Sequence, residues 1–201
     1  EELYSGKEII DDFEDEILMK LYQSPFEVPI EIIKKELNGE LLPNKFYILR
    51  NNSRSVLAHY DPFKEVMRKV DKTDIYGIKS RNAEQTFATD ALINTDIPLV
   101  SMTGKAGTGK TLLAIASALQ VRKNYRQIFI ARPVVPLSNK DIGYLPGDIE
   151  DKLAPYMQPL WDNIKVIQDQ YSETDKQHQT ISQLIKDQKL VIEPLSYIRG
   201  R

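Results

Sequence analysis

The stretch PLVSMTGKAGTGKTLLAI, residues 98–115, decides how the chain folds. An apolar segment enters a turn with three glycines in six residues, and a run of good helix formers leaves it. Because glycine loses more backbone entropy on folding than any other residue, this density predicts a backbone shape that other residues cannot adopt. We therefore expect a buried strand, a glycine turn and a helix in direct succession.

The turn matches the P-loop pattern G-x-x-x-x-G-K-[ST] over Gly104, Lys105, Ala106, Gly107, Thr108, Gly109, Lys110 and Thr111. Its glycines allow backbone N–H groups to surround phosphate oxygens at the start of a helix. Lys110 is predicted to act in catalysis by reaching the β- and γ-phosphates, and the Thr111 hydroxyl is predicted to ligate Mg²⁺. The predicted nucleotide-binding stretch ends at Leu112. A chance glycine turn would match about one time in a hundred, and the strand–helix context favours nucleotide binding.

The bulk composition is that of a soluble globular protein, with 41% hydrophobic and 28% charged residues. The chain of 201 residues contains no cysteine, which excludes disulfides and thiolate zinc sites. We expect a cytoplasmic protein, because no apolar run is long enough to cross a bilayer and no signal peptide is visible. Since the first residue is Glu1, we also expect that the chain begins inside a longer protein. The net charge is −5 over residues 1–76 and +3 over residues 77–201, which permits a phosphate-bearing partner in the second part.

Residues 1–76 are predicted to form a small α+β accessory module with a β-hairpin. Near-helical spacing of apolar residues from Ile9 to Leu21 favours a helix, and a second short helix is predicted over residues 31–39. Two strand-like runs, residues 45–50 and 55–60, are joined by the polar link NNSR.

Residues 77–201 are predicted to form an α/β domain with a parallel sheet flanked by helices. Helical patterns cover residues 81–95, the segment after the P-loop, and a long region over 148–188 that Pro155 and Pro159 could interrupt. Strands are predicted at 97–102, 127–131 and 190–195. The strand–helix–strand order implies a right-handed parallel βαβ unit.

Three further stretches make residues 77–201 resemble the PhoH-like ATPases, a family named for phosphate starvation. They are IFIARPVVPLSNKDIGYLPGDIEDKLAPYMQPLWDNI (128–164), SRNAEQ (80–85) and IEPLSYIRGR (192–201). The second departs from the family pattern, which usually opens with proline where this chain has Ser80. Residues 1–76 resemble more loosely the β-containing segment between a PIN-type nuclease domain and the ATPase domain of fused members, although this chain contains no PIN domain.

The resemblance implies an RecA-like P-loop NTPase core related to superfamily 1 helicases, often in ring-shaped homo-oligomers. It implies ATP and Mg²⁺ as ligands and RNA or another single-stranded nucleic acid as partner, with fused members that look like RNA helicase–ribonuclease machines. In the family pattern the Walker B acid follows shortly after the RGR of residues 199–201. The resemblance therefore implies an incomplete core here, and we expect no measurable ATP turnover from residues 1–201 alone.

Some residues outside the P-loop have a functional and a structural interpretation. Gln85 resembles the glutamine that contacts adenine in helicases, or it is a surface residue at a helix start. Arg132 follows a predicted strand and could contact nucleic acid or nucleotide phosphate, or it is a charged strand terminus. By analogy with helicases, Tyr197, Arg199 and Arg201 face nucleic acid, and an arginine could act on a neighbouring subunit's γ-phosphate. The alternative is a basic surface tail.

The loop DIGYLPGD, residues 141–148, has the same ambiguity, because Tyr144 could stack on a base or pack into a structural turn. Its acids Asp141 and Asp148, with Glu150 and Asp151, could suggest a metal cluster, but the last three are more typical of a helix start.

The sequence and the resemblance lead to two candidate functions. One is an ATPase that couples hydrolysis to RNA remodelling or unwinding in the full-length protein, and the other is a nucleotide-binding module that regulates oligomer assembly or a partner nuclease. A third interpretation, a metabolite kinase, has weaker support, since no stretch of the sequence indicates an acceptor-binding lid.

Overall fold

The computed structural model describes residues 6–37, 41–134 and 149–198. By its internal contacts the chain divides into two compact units. The first comprises Glu1–Thr73 with Arg81–Asp90, and the second comprises Asp74–Ser80 with Ala91–Arg201. Both units are therefore discontinuous in sequence.

The first unit is built on a five-stranded sheet in the order β1-β3-β4-β5-β2. Strand β1 runs parallel to β3, whereas the other neighbours are antiparallel. The strands are β1 (Lys7–Ile10), β2 (Glu27–Pro29), β3 (Phe46–Arg50), β4 (Ser55–Asp61) and β5 (Val66–Lys69). Two helices, α1 (Asp15–Tyr22) and α2 (Ile30–Ile33), complete this part of the unit.

The core of the first unit lies on the face of the sheet that α1 covers. Alternate residues of a strand point to opposite faces, so Tyr47 and Leu49 of β3 lie on the same face. Both are almost fully buried, and the same apolar cluster includes Leu18 and Leu21 of α1. Burying a side chain of this size contributes roughly 1.5–3 kcal/mol, so this cluster is the main source of the unit's stability.

The predicted hairpin is confirmed, and its link has a clear local cause. Strands β3 and β4 pair antiparallel, with Phe46 opposite His59. The Asn51 side-chain oxygen accepts hydrogen bonds from the backbone N–H groups of Ser53 and Arg54 at 3.0 and 2.9 Å. An asparagine that satisfies its own turn in this way favours a tight reversal of the chain.

The predicted helix from Ile9 to Leu21 is wrong in its first part and correct in its second. Residues Lys7–Ile10 form β1 because they find a parallel partner in β3, and that pairing outweighs the weak helical spacing. The helix begins only at Asp15. The second predicted helix shortens to Ile30–Ile33, and its predicted end at Gly39 lies outside the described residues.

Helix α3 (Ala83–Ile93) confirms the helix predicted over residues 81–95. Residues up to Asp90 belong to the first unit, and the last turn belongs to the second. Thr86, Phe87 and Thr89 are buried, although threonine is more common at surfaces.

The second unit is a mixed α/β structure in which helices flank a parallel pair of strands. Strands β8 (Ile128–Arg132) and β9 (Leu190–Pro194) pair in parallel from Ile128 opposite Leu190 to Arg132 opposite Pro194. Helix α5 packs against α4 and β9, and α6 packs against α5 and β9. The helices are α4 (Lys110–Val121), α5 (Ile149–Gln168) and α6 (Lys176–Lys186), and a short hairpin is formed by β6 (Asp74–Ile75) and β7 (Ile78–Lys79). The predicted boundary between residues 76 and 77 falls inside this hairpin.

The two strands predicted near 127–131 and 190–195 are confirmed, whereas the strand predicted over residues 97–102 is not formed. This segment is without regular secondary structure, and Leu99 is 84% exposed. An apolar run becomes a strand only when a neighbouring strand accepts its backbone hydrogen bonds. Within the described residues no strand pairs with it.

The long helical region is interrupted, but not at its prolines. Pro155 and Pro159 both lie inside α5, and the break comes over residues 169–175. There the Asp175 carboxylate accepts a hydrogen bond from the Ser172 N–H group at 2.8 Å, which stabilises the turn before α6. None of the helices that the structure describes has the length and apolar character needed to cross a membrane.

Candidate nucleotide-binding site

The P-loop glycines adopt backbone conformations that L-residues with side chains rarely take. Gly107 and Gly109 have φ of 78° and 82°, and Gly104 has φ of 149°. A Cβ built on Gly107 would meet no atom of the described residues within 4 Å. Glycine is therefore needed at Gly107 for its left-handed backbone and not for lack of space.

The P-loop ends directly at the N-terminus of helix α4. Gly109 is the N-cap of α4, and no side chain in the described part of the chain makes a capping hydrogen bond there. The Leu113 N–H group donates to the Gly109 carbonyl at 2.9 Å, which begins the helical bonding. The N–H groups of Lys110, Thr111 and Leu112 precede that bond and have no acceptor one turn earlier in the helix, which is the arrangement that favours an anion at a helix start.

Lys110 folds back onto its own loop. Its ammonium donates to the carbonyl oxygens of Gly104 and Lys105 at 2.8 and 2.7 Å, and it lies 3.3 Å from the Thr108 hydroxyl oxygen. The Thr108 hydroxyl in turn donates to the Lys105 carbonyl at 2.9 Å. The ammonium thus lies against the loop, among oxygens, where phosphate oxygens can replace those of the protein.

The donors in this turn fit a polyphosphate with its counter-ion. The donors are backbone N–H groups and the Lys110 ammonium. Thr111, exposed in the first turn of α4, has a hydroxyl suited to Mg²⁺. In the described part of the chain, no three His, Cys, Asp or Glu side chains are grouped so that they could hold a metal ion by themselves. The acids Asp141 and Asp148 lie outside the described residues.

Gln85 lies in the first unit, whereas residues 104–112 lie in the second. The Gln85 N–H group donates to the Asn82 side-chain oxygen at 2.9 Å, and the Gln85 side-chain oxygen accepts from the Arg81 N–H group at 2.7 Å. This reciprocal arrangement is close to a capping box at the start of α3. The structure therefore gives Gln85 a capping role, and the contact with adenine stays a prediction.

Arg132 and the segment before Tyr197 lie at the same edge of the parallel pair. Arg132 is the last residue of β8, and its guanidinium donates to the Tyr156 carbonyl of α5 at 3.1 Å. Because β8 and β9 are parallel, the chain that follows Pro194 leaves at that edge, where residues Leu195–Tyr197 form a 3-10 turn. Arg199 and Arg201, like the loop 141–148, lie outside the described residues.

Sequence reasoning missed the residues that hold α3 on the first unit. Glu84, Phe87 and Asp90 contact Lys7, Phe46 and Arg68, respectively. Their spacing of three residues along one helix face was a usable signal. Their partners are scattered over three strands, and no sequence pattern joins them.

Comparison with known proteins gives a consistent result. The family model described as PhoH-like protein matches residues 77–201. Protein PhoH2 of Bacillus subtilis is 35% identical over 209 residues, which cover 100% of this chain and 45% of that protein. Protein PhoH of Escherichia coli K12 is 33% identical over 133 residues, which cover 65% of this chain and 35% of that protein.

A further relative, the PhoH-like protein of Bacillus subtilis, is 30% identical over 159 residues, which cover 77% of this chain and 46% of that protein. The chain thus spans less than half the length of these relatives. No solved structure matches the chain significantly. The match over residues 77–201 contains the P-loop, and it shows that the chain belongs to the PhoH-like protein family.

Proposed function

We propose that this chain is the nucleotide-binding part of an RecA-like P-loop ATPase. The single observation that supports this best is the glycine turn with left-handed Gly107 and Gly109 that ends at the uncapped start of α4. Three consecutive N–H groups and the Lys110 ammonium meet there, and this donor set suits the β- and γ-phosphates of a nucleoside triphosphate.

Each residue of the site has a defined role in this proposal. Lys110 exchanges its contacts with the Gly104 and Lys105 carbonyls for phosphate oxygens. Thr111 would hold Mg²⁺, which neutralises phosphate charge when bound. Gln85 contacts the adenine edge, because an amide both donates and accepts, which favours ATP over GTP.

In the full-length protein we propose that ATP hydrolysis is coupled to remodelling or unwinding of RNA in the cytoplasm, by a homo-oligomeric ring. The charge of +3 over residues 77–201 and the presence of Arg132 at the edge near residues 195–197 support a nucleic-acid backbone as partner. Neither β8 nor β9 ends in an acidic residue. Hydrolysis therefore depends on a carboxylate that these strand ends do not supply.

The decisive experiment measures ATP hydrolysis by the full-length protein with and without single-stranded RNA. We expect RNA to stimulate Mg-dependent hydrolysis, with single-stranded DNA and duplex RNA as comparisons. Absence of stimulation by any nucleic acid would exclude the motor function.

A second function, a nucleotide-dependent regulator of assembly or of a partner nuclease, is favoured by one observation. Helix α3 contributes residues to both compact units, so the two units share one helix. This function predicts that Mg-ATP changes the oligomeric state, measured by light scattering, whereas added RNA has no effect on hydrolysis.

A further inference from the structure

Phe26 and Tyr76 are aromatic residues whose backbone lies in the left-handed region, with φ of 62° and 50°. A bulky side chain is strained there. Tyr76 is buried, and its ring lies 5.4 Å from the Arg122 guanidinium carbon and meets the Tyr171 ring edge-on at 6.2 Å. Phe26 is instead 47% exposed. Packing therefore offsets the strain at Tyr76, whereas Phe26 is strained and still half-exposed.

Phe26 lies beside a second exposed ring and a lysine of the first unit. It comes directly before β2, and its carbonyl accepts a hydrogen bond from the Lys69 N–H group of β5 at 2.8 Å. Tyr22, the last residue of α1, is 43% exposed, and its hydroxyl donates to the Ser55 carbonyl at 2.9 Å. The Lys69 ammonium lies 5.3 Å from the centre of the Tyr22 ring and 5.6 Å from that of Phe26. Hydrogen bonds to the sheet thus hold both rings around one cation.

This lysine is paired with an acid that faces solvent. The Lys69 ammonium lies 2.6 Å from the Asp71 carboxylate, and the two side chains are 19% and 69% exposed. We call Tyr22, Phe26, Lys69 and Asp71 the Lys69 site. It presents two ring surfaces together with N–H donors and carboxylate acceptors, and the paired charges of Lys69 and Asp71 cancel.

These groups favour one class of occupant over others. A phosphate gains little, because the Asp71 carboxylate already neutralises the ammonium and the charge over residues 1–76 is −5. An apolar protein surface would bury the ion pair without offering it hydrogen bonds, which costs free energy. A nucleobase suits both parts of the site. Its flat face stacks on aromatic side chains, and its Watson–Crick edge has hydrogen-bond donors and acceptors next to each other.

We propose that the Lys69 site binds an unpaired base of a single-stranded nucleic acid. The base stacks on the exposed surface of Tyr22 or Phe26, while the ammonium donates to its edge and the carboxylate accepts from it. In a duplex the same edge is used for base pairing, so the site selects single strands, and it tolerates any sequence because every base has a π-face. The inference rests on the proposed function, which takes RNA as the partner, and it assigns the first unit a part in holding the strand.

The test measures binding of a fluorescently labelled single-stranded RNA to the full-length protein by anisotropy. Single-stranded DNA of the same sequence and duplex RNA are the comparisons. The variants are Phe26→Gly, Phe26→Trp and Tyr22→Ala. Glycine suits the left-handed backbone at Phe26, so the ring is removed without added strain, whereas tryptophan keeps a stacking surface. The matched control is Phe63→Ala, which removes a phenylalanine that is 80% exposed in the link between β4 and β5.

We expect Phe26→Gly and Tyr22→Ala each to weaken single-stranded RNA about tenfold, because a stacking surface is lost. Phe26→Trp and Phe63→Ala should stay within about twofold of the wild-type affinity. The affinity for duplex RNA and the dependence of binding on salt should not change, since no phosphate contact is removed. Parallel losses for RNA and DNA identify the shared base chemistry, and a loss for one strand alone identifies that strand as the ligand.

Unchanged affinity for single strands in the two ring variants, or an equal loss for duplex RNA, would overturn the inference. A change in molecular mass by light scattering with RNA binding intact would also overturn it, because the rings would then contact another protein chain. Thermal unfolding verifies that each variant is folded, and the two Phe26 variants decide the matter if Tyr22→Ala does not fold.

The outcome for the proposed function is separable from these results. If RNA neither binds the wild-type protein nor stimulates its ATP hydrolysis, the motor function fails and this inference fails with it. If RNA stimulates hydrolysis and binds the ring variants as tightly as the wild type, the motor function stands and only the inference is overturned.

Discussion

Two leucines show how differently the two units use apolar residues. Leu49 of β3 is fully buried in the core of the first unit, whereas Leu99, just before the P-loop, is 84% exposed. The first lies in a paired strand whose backbone bonds are satisfied, and the second lies in a segment without a strand partner among the described residues. An apolar side chain thus stabilises the fold only where it is removed from water, and the difference between the two leucines predicts which substitutions affect folding and which affect ligand binding.

The largest effect is expected for truncation of the buried leucine. Leu49→Ala should lower the free energy of unfolding by about 2–5 kcal/mol, because it removes transfer energy and leaves a cavity. Leu99→Ala should change it by less than about 0.5 kcal/mol. Urea denaturation followed by circular dichroism measures both, and equal losses for the two variants would show that Leu99 is buried in solution.

A pH-dependent loss of stability is expected next, from His59 of β4. The ring is 1% exposed and stacks on Phe46 with centroids 4.5 Å apart. Among the described residues, neither ring nitrogen finds a hydrogen-bond partner. Burial, aided by the nearby Arg68 charge, lowers the pKa of His59 from its ordinary value of 6.5 to about 4, although Asp90 and Asp61 act in the opposite direction.

Well above pH 6.5 the ring is neutral in both states and contributes no pH dependence. As the pH falls from 6.5 towards 4, the unfolded chain binds a proton that the folded chain does not, so the stability falls by about 3 kcal/mol in total. Carboxylates also titrate near the lower end of this range. The measurement is therefore the difference in unfolding free energy between wild type and His59→Leu, at pH 7 and at pH 4.5. A difference that stays constant with pH would contradict the burial of a neutral ring.

A smaller effect is expected at a glycine of the β6–β7 hairpin. Gly77 and Gly6 share a φ of 74°, but a Cβ on Gly77 would lie 2.6 Å from the Gln170 Cβ, whereas one on Gly6 would meet nothing within 4 Å. Gly6→Ala thus measures backbone strain alone, about 1 kcal/mol. Gly77→Ala should cost about 2 kcal/mol in all, because overpacking against Gln170 adds to that strain. Thermal unfolding compares them, and equal shifts would mean that Gln170 moves aside freely.

The smallest effect is expected on ATP binding at the P-loop, from a substitution that leaves the fold intact. Lys110→Ala should weaken ATP binding at least tenfold, or about 1.4 kcal/mol, because it removes the cation that meets the phosphates. Its circular dichroism should be unchanged, since the hydrogen bonds that the structure describes for the ammonium are with oxygens of its own loop. Lys123→Ala, an exposed lysine beyond the end of α4, is the control. Wild-type affinity for ATP in the Lys110→Ala variant would contradict the assignment of residues 104–112 as the phosphate-binding site.

The parts of the fold that the sequence predicted are those encoded by local patterns. The hairpin follows from two β-branched and aromatic runs around Asn51, and α4 follows from an uninterrupted series of helix formers. The turn at residues 104–109 follows from glycines whose positive φ the structure shows. Its role in binding nucleotide stays a prediction.

The parts that the sequence did not predict depend on partners distant in the chain. Lys7–Ile10 form a strand because β3 pairs with them, whereas residues 97–102 are irregular and have no such partner among the described residues. The contact between Arg68 and Asp90 joins a strand to a helix across 22 positions. Local propensity contains no information on such pairings, because their energy comes from tertiary contacts.

The parallel pairing of β8 and β9 has a consequence for the order in which the chain folds. Hairpin β3–β4 closes over the short link 51–54, whereas β8 must find β9 across residues 133–189. Closing the longer loop costs about 2 kcal/mol more in chain entropy, and pairings of high contact order form slowly. The first unit's hairpin should therefore form early, while the strand pair at whose edge Arg132 lies assembles late. Nascent chains that have not yet emerged past residue 190 should expose β8 to chaperones.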